Sequence, residues 1–428
     1  MNFKKVIIIG AGMSGLGAGI KLQKNGFDCV ILEAEKELGG LAGSFKIQNK
    51  YFPAGYHHIL YQDKPLRSAL KRAGLWNKIS WKKTSSVFVI ENKIYNPANP
   101  ADFLKMPMPL KDKFRFARLM AYCMLRKSWN QNLGDARSWL DKIAGPNVRK
   151  IIFDPLMDIK YGLGSERLSA SWIGSRLHYQ EFSKPLGYIP GNDWTKILID
   201  KLAEEFEKMG GEIITGASAK KINIENNEFK NMAYRENGGE KIISGDILVN
   251  TAAPHIFLSL CDYRNKKLEK IEYLDSLSLI LETGQKLPKN FYMLACLSPR
   301  RSFGGIFALS SLNKTIGARN GTVLNFFTNL NPGNEYLRKK TADELLKIYL
   351  DDFKSIFGFE LKPIWHHLSL IKNYSPKFLN NYQNPDERGN IRGIYFSGNY
   401  LTYPAITSIG SALASGEKTA NYIIEDYK

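Results

Sequence analysis

The chain has 428 residues, 44% hydrophobic and 24% charged, values that suit a folded protein with a sizeable core and exclude a disordered or fibrous one. Lys plus Arg exceeds Asp plus Glu by 19, which favours an anionic partner (an acidic substrate, a membrane surface or nucleic acid) or is simply spread over a solvated surface. Cys29, Cys123, Cys261 and Cys296 stand apart with no CxxC pair, and no apolar run approaches transmembrane length, so a disulfide framework, a zinc site and a membrane span are all unexpected.

Val6-Ile7-Ile8-Ile9 reads as a buried parallel strand, and Gly10, Gly12 and Gly15 turn it into a helix from about Ser14 to Asn25, closed by Gly26. Gly10 permits the tight turn, Gly12 lets backbone approach a pyrophosphate, and Gly15 lets helix and strand pack closely. The helix start points free N–H groups at that phosphate. Phe27 to Leu32 forms a second strand ending in Glu33, a carboxylate placed to hold ribose hydroxyls. The order strand, turn, helix, strand, acid predicts a bound dinucleotide. It also explains the apolar run after Lys4-Lys5 better than a signal peptide does. The expected location is cytoplasmic, soluble or peripheral to the inner face of a membrane.

A glycine-rich loop, Glu37 to Phe45, then places more backbone beside the first turn. Residues 64 to 76 look helical, 85 to 95 a β pair around Asn92, and 96 to 109 a Pro-rich connector. Residues 110 to 127 carry helical periodicity, with Leu110, Phe114, Ala117, Ala121, Met124 and Leu125 on one face and Lys111, Arg115, Arg118 and Arg126 beside it. That pattern fits either a helix lying on an anionic membrane or a core helix with a solvated edge. Residues 135 to 182 look mainly helical.

A helix over 193 to 209, ended by Gly210-Gly211, precedes strands at 212 to 215, 219 to 224 and 245 to 252 that return the chain to the first sheet. Residues 255 to 385 read as strand-rich with a helix at 341 to 357. Gly393 to Asn399 is strand plus turn, and Ser408 to Tyr427 a helix with small residues at closely packing positions. A nucleotide-binding domain is thus assembled from 1–80, 190–254 and 390–428. Residues 81–189 and 255–389 form a second domain, with 96–185 mainly helical.

GAGMSGLGAGIKL followed by ILEAEKELGGLAGSF, GYIPGNDWTKILIDKLAEEFEKMGGEI through VNTAAP, and GIYFSGNYLTYPAITSIGSALASGEKTANYI together resemble the FAD-dependent amine oxidoreductase superfamily. Its members include amine oxidases, protoporphyrinogen oxidases and carotenoid desaturases, with UDP-galactopyranose mutase as a cousin. YFPAGYHHI and the helical region look most like the protoporphyrinogen-oxidase-like branch. The resemblance implies an α/β (α+β overall) fold in which a glutathione-reductase-like FAD-binding Rossmann domain interleaves with a substrate domain of mixed sheet plus helices. It implies Gly10, Gly12, Ser14 and Gly15 on the pyrophosphate, Glu33 on the adenosine ribose and Ala219 beside adenine. Gly39, Gly40, Leu41 and Ala42 would border the ribityl chain and flavin, Gly398 and Asn399 would meet the pyrophosphate and ribityl chain, and Ser408 and Ile409 would lie beside the flavin pyrimidine. There, unpaired N–H groups of a helix start would stabilise reduced flavin. The family often has Arg where Leu41 stands and Asp or Glu where Asn399 stands, so the subfamily and redox potential stay open.

No Ser/His/Asp, metal-ligand or paired-carboxylate constellation stands out. His57 is the best catalytic candidate, tuning flavin N5 or shuttling a proton, unless it is a hydrogen-bonded structural histidine. Tyr374, Tyr400 and Tyr403 are substrate-side candidates that could sandwich a flat or apolar substrate, or could pack in the core. Arg300 and Arg301 could receive carboxylate or phosphate groups. The leading expectation is an FAD-dependent oxidoreductase that removes hydride from a carbon of a sizeable organic substrate, apolar or anionic. The alternatives are a flavin amine oxidase, a non-redox sugar-nucleotide mutase and a non-catalytic binding protein built like GDP-dissociation inhibitors. No module for nucleic acid is present, and peripheral membrane contact through 110–127 is left open.

Overall fold

The computed structural model describes residues 4–129, 132–179 and 184–428. Five strands form a wholly parallel sheet: β1 (Lys5–Ile9), β2 (Asp28–Glu33), β3 (Glu212–Thr215), β4 (Ile247–Asn250) and β5 (Ile394–Phe396), in the order β5-β4-β1-β2-β3. β1 lies at the centre because Val6, Ile7 and Ile8 offer no polar face and are wholly buried. Three helices cover one face of the sheet, α1 (Met13–Lys24), α2 (Trp194–Lys208) and α3 (Ile409–Tyr427), and a separate antiparallel sheet of Ser218–Glu225, Glu228–Glu236 and Gly239–Ser244 covers the other. The strand expected over 219–224 therefore lies on the first sheet and is not part of it. α1 and α3 cross where both are small. A Cβ on Gly416 would lie 2.0 Å from the Ser14 carbonyl oxygen, one on Gly17 would lie 2.9 Å from that of Leu413, and Ser14 Oγ donates to the Ala412 carbonyl at 2.9 Å. The first and last segments of the described chain therefore share one seam.

A second, seven-stranded sheet stands beside the first. Its order is Pro363–Pro376, Tyr273–Thr283, Thr322–Asn329, Gly305–Ala308, Met293–Cys296, Ser86–Ile90, Lys93–Tyr95, antiparallel except where Met293–Cys296 runs parallel to Ser86–Ile90. The helix Ala342–Phe357, opened by a Thr341/Glu344 capping box, buries Leu345, Tyr349 and Phe353 in a core shared with Leu279, Leu281 and Phe326 of this sheet. The hairpin Ser44–Ile47/Lys50–Pro53 reaches across from the first layer. Phe45 stacks on His367 at 3.9 Å between centroids, and Phe52 meets Trp365 at 4.8 Å.

Helices over 100–179 form a third layer around Phe116, Trp139, Phe153 and Trp172. The helical stretch expected to reach 182 passes beyond 179 into residues outside those described. The helix expected over 64–76 ends at Arg72, because Gly74 takes φ +68° and turns the chain out of it.

The Leu110–Leu125 helix joins the core, but through a different face from the one expected. It buries Phe116, Leu119 and Cys123, with Asp112 held by Asn147 Nδ2 at 3.1 Å. The apolar face singled out in the sequence looks outward instead: Phe114 is 70% exposed and Leu125 80%, and Leu110 and Met124 are exposed with them. The helix carries two apolar stripes, and periodicity alone does not say which one faces the protein.

Candidate active site

The first turn is built as its glycines require. Gly10 takes φ +99°, and a Cβ on Gly15 would lie 1.9 Å from the Gly10 carbonyl oxygen, so the helix sits directly on the turn. Gly39 (φ +115°) pairs with Gly12 in a parallel bridge and donates its N–H to the Ala11 carbonyl at 3.1 Å. The start of α1 has no side-chain cap and no acidic residue in its first turn, although Met13, Ser14 and Gly15 are buried. A buried helix start with no side-chain cap of its own fits a diphosphate. Glu33 is buried beside it: one carboxylate oxygen accepts from the Ala11 N–H at 2.8 Å, the other from Glu35 at 3.0 Å. Ala217 donates to the Glu33 carbonyl at 2.7 Å, which brings the strand holding Ala219 to the end of β2. These features fit the diphosphate and ribose of FAD.

Gly40, Leu41 and Ala42 form a short turn tied to α2, whose Thr195 Oγ1 donates to the Ala42 carbonyl at 3.1 Å; Leu41 is exposed. On the far segment, Gly398 (φ +142°) donates to Ser415 Oγ at 3.0 Å, and Asn399 Oδ1 accepts from the Tyr273 hydroxyl at 2.8 Å. Ser408 caps α3, its hydroxyl accepting from the Ser411 N–H. The expectation of unpaired N–H groups there needs correction. Asp63, the N-cap of the Lys64–Arg72 helix, accepts from Leu66 N–H at 3.2 Å and from Ser408 Oγ at 3.0 Å, and also from the Gly410 N–H. One carboxylate thus serves two helix starts, and burial raises its pKa.

Two adjoining pockets, an outer and an inner lobe, lie between the two sheets. The outer lobe, with its mouth, holds about 1370 Å³ and is lined by His57, His58, Asp63, Ser408 and Ile409 among others. The inner lobe, with the space at its opening, holds about 890 Å³ and is lined by Phe153, Lys160, Trp172, Phe327 and Tyr374 among others. Tyr56, Arg176, Met293 and Phe307 wall both. The Tyr56 ring stacks on Phe307 with centroids 3.5 Å apart, and its hydroxyl shares a 3.2 Å hydrogen bond with that of Tyr374. His58 Nδ1 meets the Tyr292 hydroxyl at 3.1 Å, and burial pushes its pKa down to about 4. Burial also lowers the His57 pKa, against the opposing pull of Asp193 and the Leu41 carbonyl. Its Nε2 is buried with no hydrogen-bond partner among the described residues.

Of the three tyrosines expected on the substrate side, only Tyr374 lines the cavity. The turn Asn399–Leu401 swings Tyr400 back into the core under the parallel sheet, with Phe257 and Phe396. Tyr403 bonds Ser169 Oγ at 2.6 Å and packs on Phe378 and Tyr382. Arg300 and Arg301 are already engaged, by Asp158 at 3.1 Å and Asp352 at 3.6 Å. His366 and His367 point opposite ways, one to Asp343 and the other onto Phe45. Among the described residues no group of three His, Cys, Asp or Glu could hold a metal ion, and no helix is long and apolar enough to cross a membrane. Sequence reasoning missed Lys160, Arg176 and Asp63. For Asp63 alone a local signal existed, an Asp just before a Lys-Pro helix start.

A parallel sheet whose first turn is shaped for a diphosphate, set against a second sheet across a deep cavity, is an architecture of dinucleotide-dependent oxidoreductases. The chain belongs to the family of flavin-containing amine oxidoreductases, whose model matches residues 13–424, and it is an FAD-dependent oxidoreductase. It is 21% identical to the 15-cis-phytoene desaturase of Solanum lycopersicum over 99% of this chain and 78% of that protein. It is 22% identical to the mitochondrial protoporphyrinogen oxidase of Nicotiana tabacum over 98% of this chain and 95% of that protein. Its fold matches the crystal structure of an Exiguobacterium sp. 255-15 protein provisionally named a protoporphyrinogen oxidase, with a TM-score of 0.80, 18% identity and full coverage of both chains.

Proposed function

We propose that this FAD-dependent oxidoreductase removes hydride from a carbon of a sizeable, largely apolar organic substrate held in the two-lobed cavity. Residues 1–80, 190–254 and 390–428 serve as the FAD-binding unit (residues 1–3 lie outside those described), and 81–189 with 255–389 as the substrate unit. In this reading Gly10, Gly12, Ser14 and Gly15 receive the pyrophosphate and Glu33 the ribose. Ala219 borders adenine, Gly39 to Ala42 with Gly398 and Asn399 hold the ribityl side, and Ser408 and Ile409 edge the flavin. When bound, FAD supplies the hydride acceptor. The chain's own part is to hold and orient. Tyr56, Phe307 and Tyr374 grip a flat or extended skeleton. The apolar walls exclude water, and neutral His57 offers Nε2 as a proton acceptor at the junction of the two units.

The observation that carries this reading is the pair of adjoining pockets, one reaching from the start of α3 to His57 and the other to Tyr374, which share Tyr56, Arg176, Met293 and Phe307 as walls. Relatives named as a desaturase and an oxidase support oxidation of a carbon skeleton. The test is direct. Purified protein releases FAD on denaturation, and its flavin absorbance bleaches anaerobically with a substrate drawn from a panel of partly saturated polyenes and reduced tetrapyrroles. A reconstituted sample that holds no flavin ends the proposal.

The outward face of the Leu110–Leu125 helix supports a second part, peripheral contact with an anionic membrane. Leu104, Leu110, Phe114 and Leu125 are each more than half exposed, and Lys111 and Arg118 flank them in the open. Co-sedimentation with vesicles containing anionic lipid, and none with neutral ones, is the expected result.

A further inference from the structure

Lys160 and Arg176 are basic residues in the cavity wall, and among the described residues neither has a carboxylate partner. Lys160 Nζ lies 4.5 Å above the Tyr374 ring, and the Arg176 guanidinium sits 5.9 Å from the centre of Trp172. Several half-buried cations of this chain are paired with acids, Arg149 with Asp141 and Asp154, Arg301 with Asp352, Arg338 with Asp275 and Glu335, and others, such as Lys82 and Lys113, reach backbone carbonyls. Acids on the helix that carries Lys160 are turned to other partners, Asp154 to Arg149 and Asp158 to Arg300. Among the described lining residues of both lobes the only carboxylate is Asp63, held at the opposite end by Ser408 and Gly410. Two neighbouring, half-buried cations with rings and no described carboxylate against them are costly. The strain registers in Lys160, whose pKa burial and Arg176 drive well below the usual lysine range.

We propose that Lys160 and Arg176 are the specificity-determining pair of the inner lobe, and that they receive a carboxylate carried on the apolar or aromatic frame of the substrate. This rests on reading the cavity as the substrate site of the flavoenzyme. A carboxylate there neutralises the pair with charge-assisted hydrogen bonds, while the rings of Tyr374, Trp172 and Phe327 hold the frame. An ammonium group would be repelled by Arg176 and would find no acid to receive it, and a neutral hydrocarbon would seal the guanidinium away uncompensated, whereas a carboxylate favours the charged form of Lys160 as well. The geometry therefore selects against amines and unsubstituted polyenes.

The FAD-loaded protein is titrated with 1-pyrenebutyrate, its methyl ester and 1-pyrenemethylamine, following quenching of tryptophan fluorescence and the calorimetric Kd. The acid is expected to bind at least tenfold more tightly than the ester, and the amine most weakly. Lys160→Met and Arg176→Met each erode that preference, the double variant abolishes it, and Arg176→Lys retains part of it. Thermal unfolding of the double variant stays at or above that of the unaltered protein, since an uncompensated charge pair has been removed. Equal binding of acid and ester by the unaltered protein, or an acid preference that survives in the folded double variant, overturns the proposal. Flavin loss with the acid preference intact would count against the oxidoreductase reading alone, and a flavin-loaded protein without the preference against this one alone.

Discussion

The α1/α3 crossing and the Leu110–Leu125 helix are both amphipathic in sequence, yet they use their small and apolar residues in opposite ways. At the crossing, Gly17 and Gly416 bring backbones within the space of a single side chain, and the contact tolerates nothing larger. On the other helix, Phe114 and Leu125 touch little of the protein. Hydrophobic periodicity marks a face; glycine at the crossing positions says that the face meets another backbone. The outward face of the Leu110–Leu125 helix has alanines but no glycine, and it stays exposed.

Breaking the tight side should have the largest effect. Gly416→Leu drives a side chain into the Ser14 carbonyl, and we expect a loss of roughly 3 kcal/mol or more together with loss of FAD, read by urea unfolding and by flavin content. The cavity between the two regions should respond to acid. His58 has a folded pKa of about 4 against about 6.5 unfolded, so its neutral form stabilises the fold fully above pH 6.5 and that contribution is lost as pH falls toward 4. His58→Gln should flatten that acid limb by roughly 3 kcal/mol between pH 7.5 and pH 4, measured by denaturation midpoints. Asp63→Ala removes an acceptor shared by two helix starts and should cost about 1–2 kcal/mol at neutral pH. An unchanged midpoint would mean that solvent replaces the carboxylate. The open side should give the smallest change in stability. Phe114→Glu with Leu125→Glu should stay within about 0.5 kcal/mol of the unaltered protein while losing vesicle binding. If the midpoint falls by several times that amount, the helix face is part of the core after all.

Much of the nucleotide side could be read in the sequence because its chemistry is local: Val6 to Gly15 and Glu33 lie within one strand-turn-helix-strand unit, and each glycine has a steric reason to be there. Ser408 was legible as a cap by the same local logic, but the acid that reaches it comes from Asp63, far away in the chain, and no spacing rule links the two. Tyr400 and Tyr403 follow Asn399 closely, and nearness along the chain was mistaken for a shared direction. A short turn then sent one ring under the sheet and the other among the helices. Lys160 and Arg176 had no signal at all, since a lysine and an arginine within helices ordinarily lie in solvent. Only the packing of two helices against the second sheet takes them inside.

Because the central sheet draws its last strand from residues 394–396 and its sealing helix from 409–427, the dinucleotide seam stays open while most of the polypeptide is being made. At about 5–20 residues per second, roughly 20–80 s separate emergence of the first glycine turn from arrival of the helix that closes over it. Nascent chains stopped anywhere short of that point should be colourless, so retention of yellow pigment doubles as a readout of translation through residue 427. Tags or fusions that hinder the closing helix should starve the protein of cofactor without touching a single residue that contacts it.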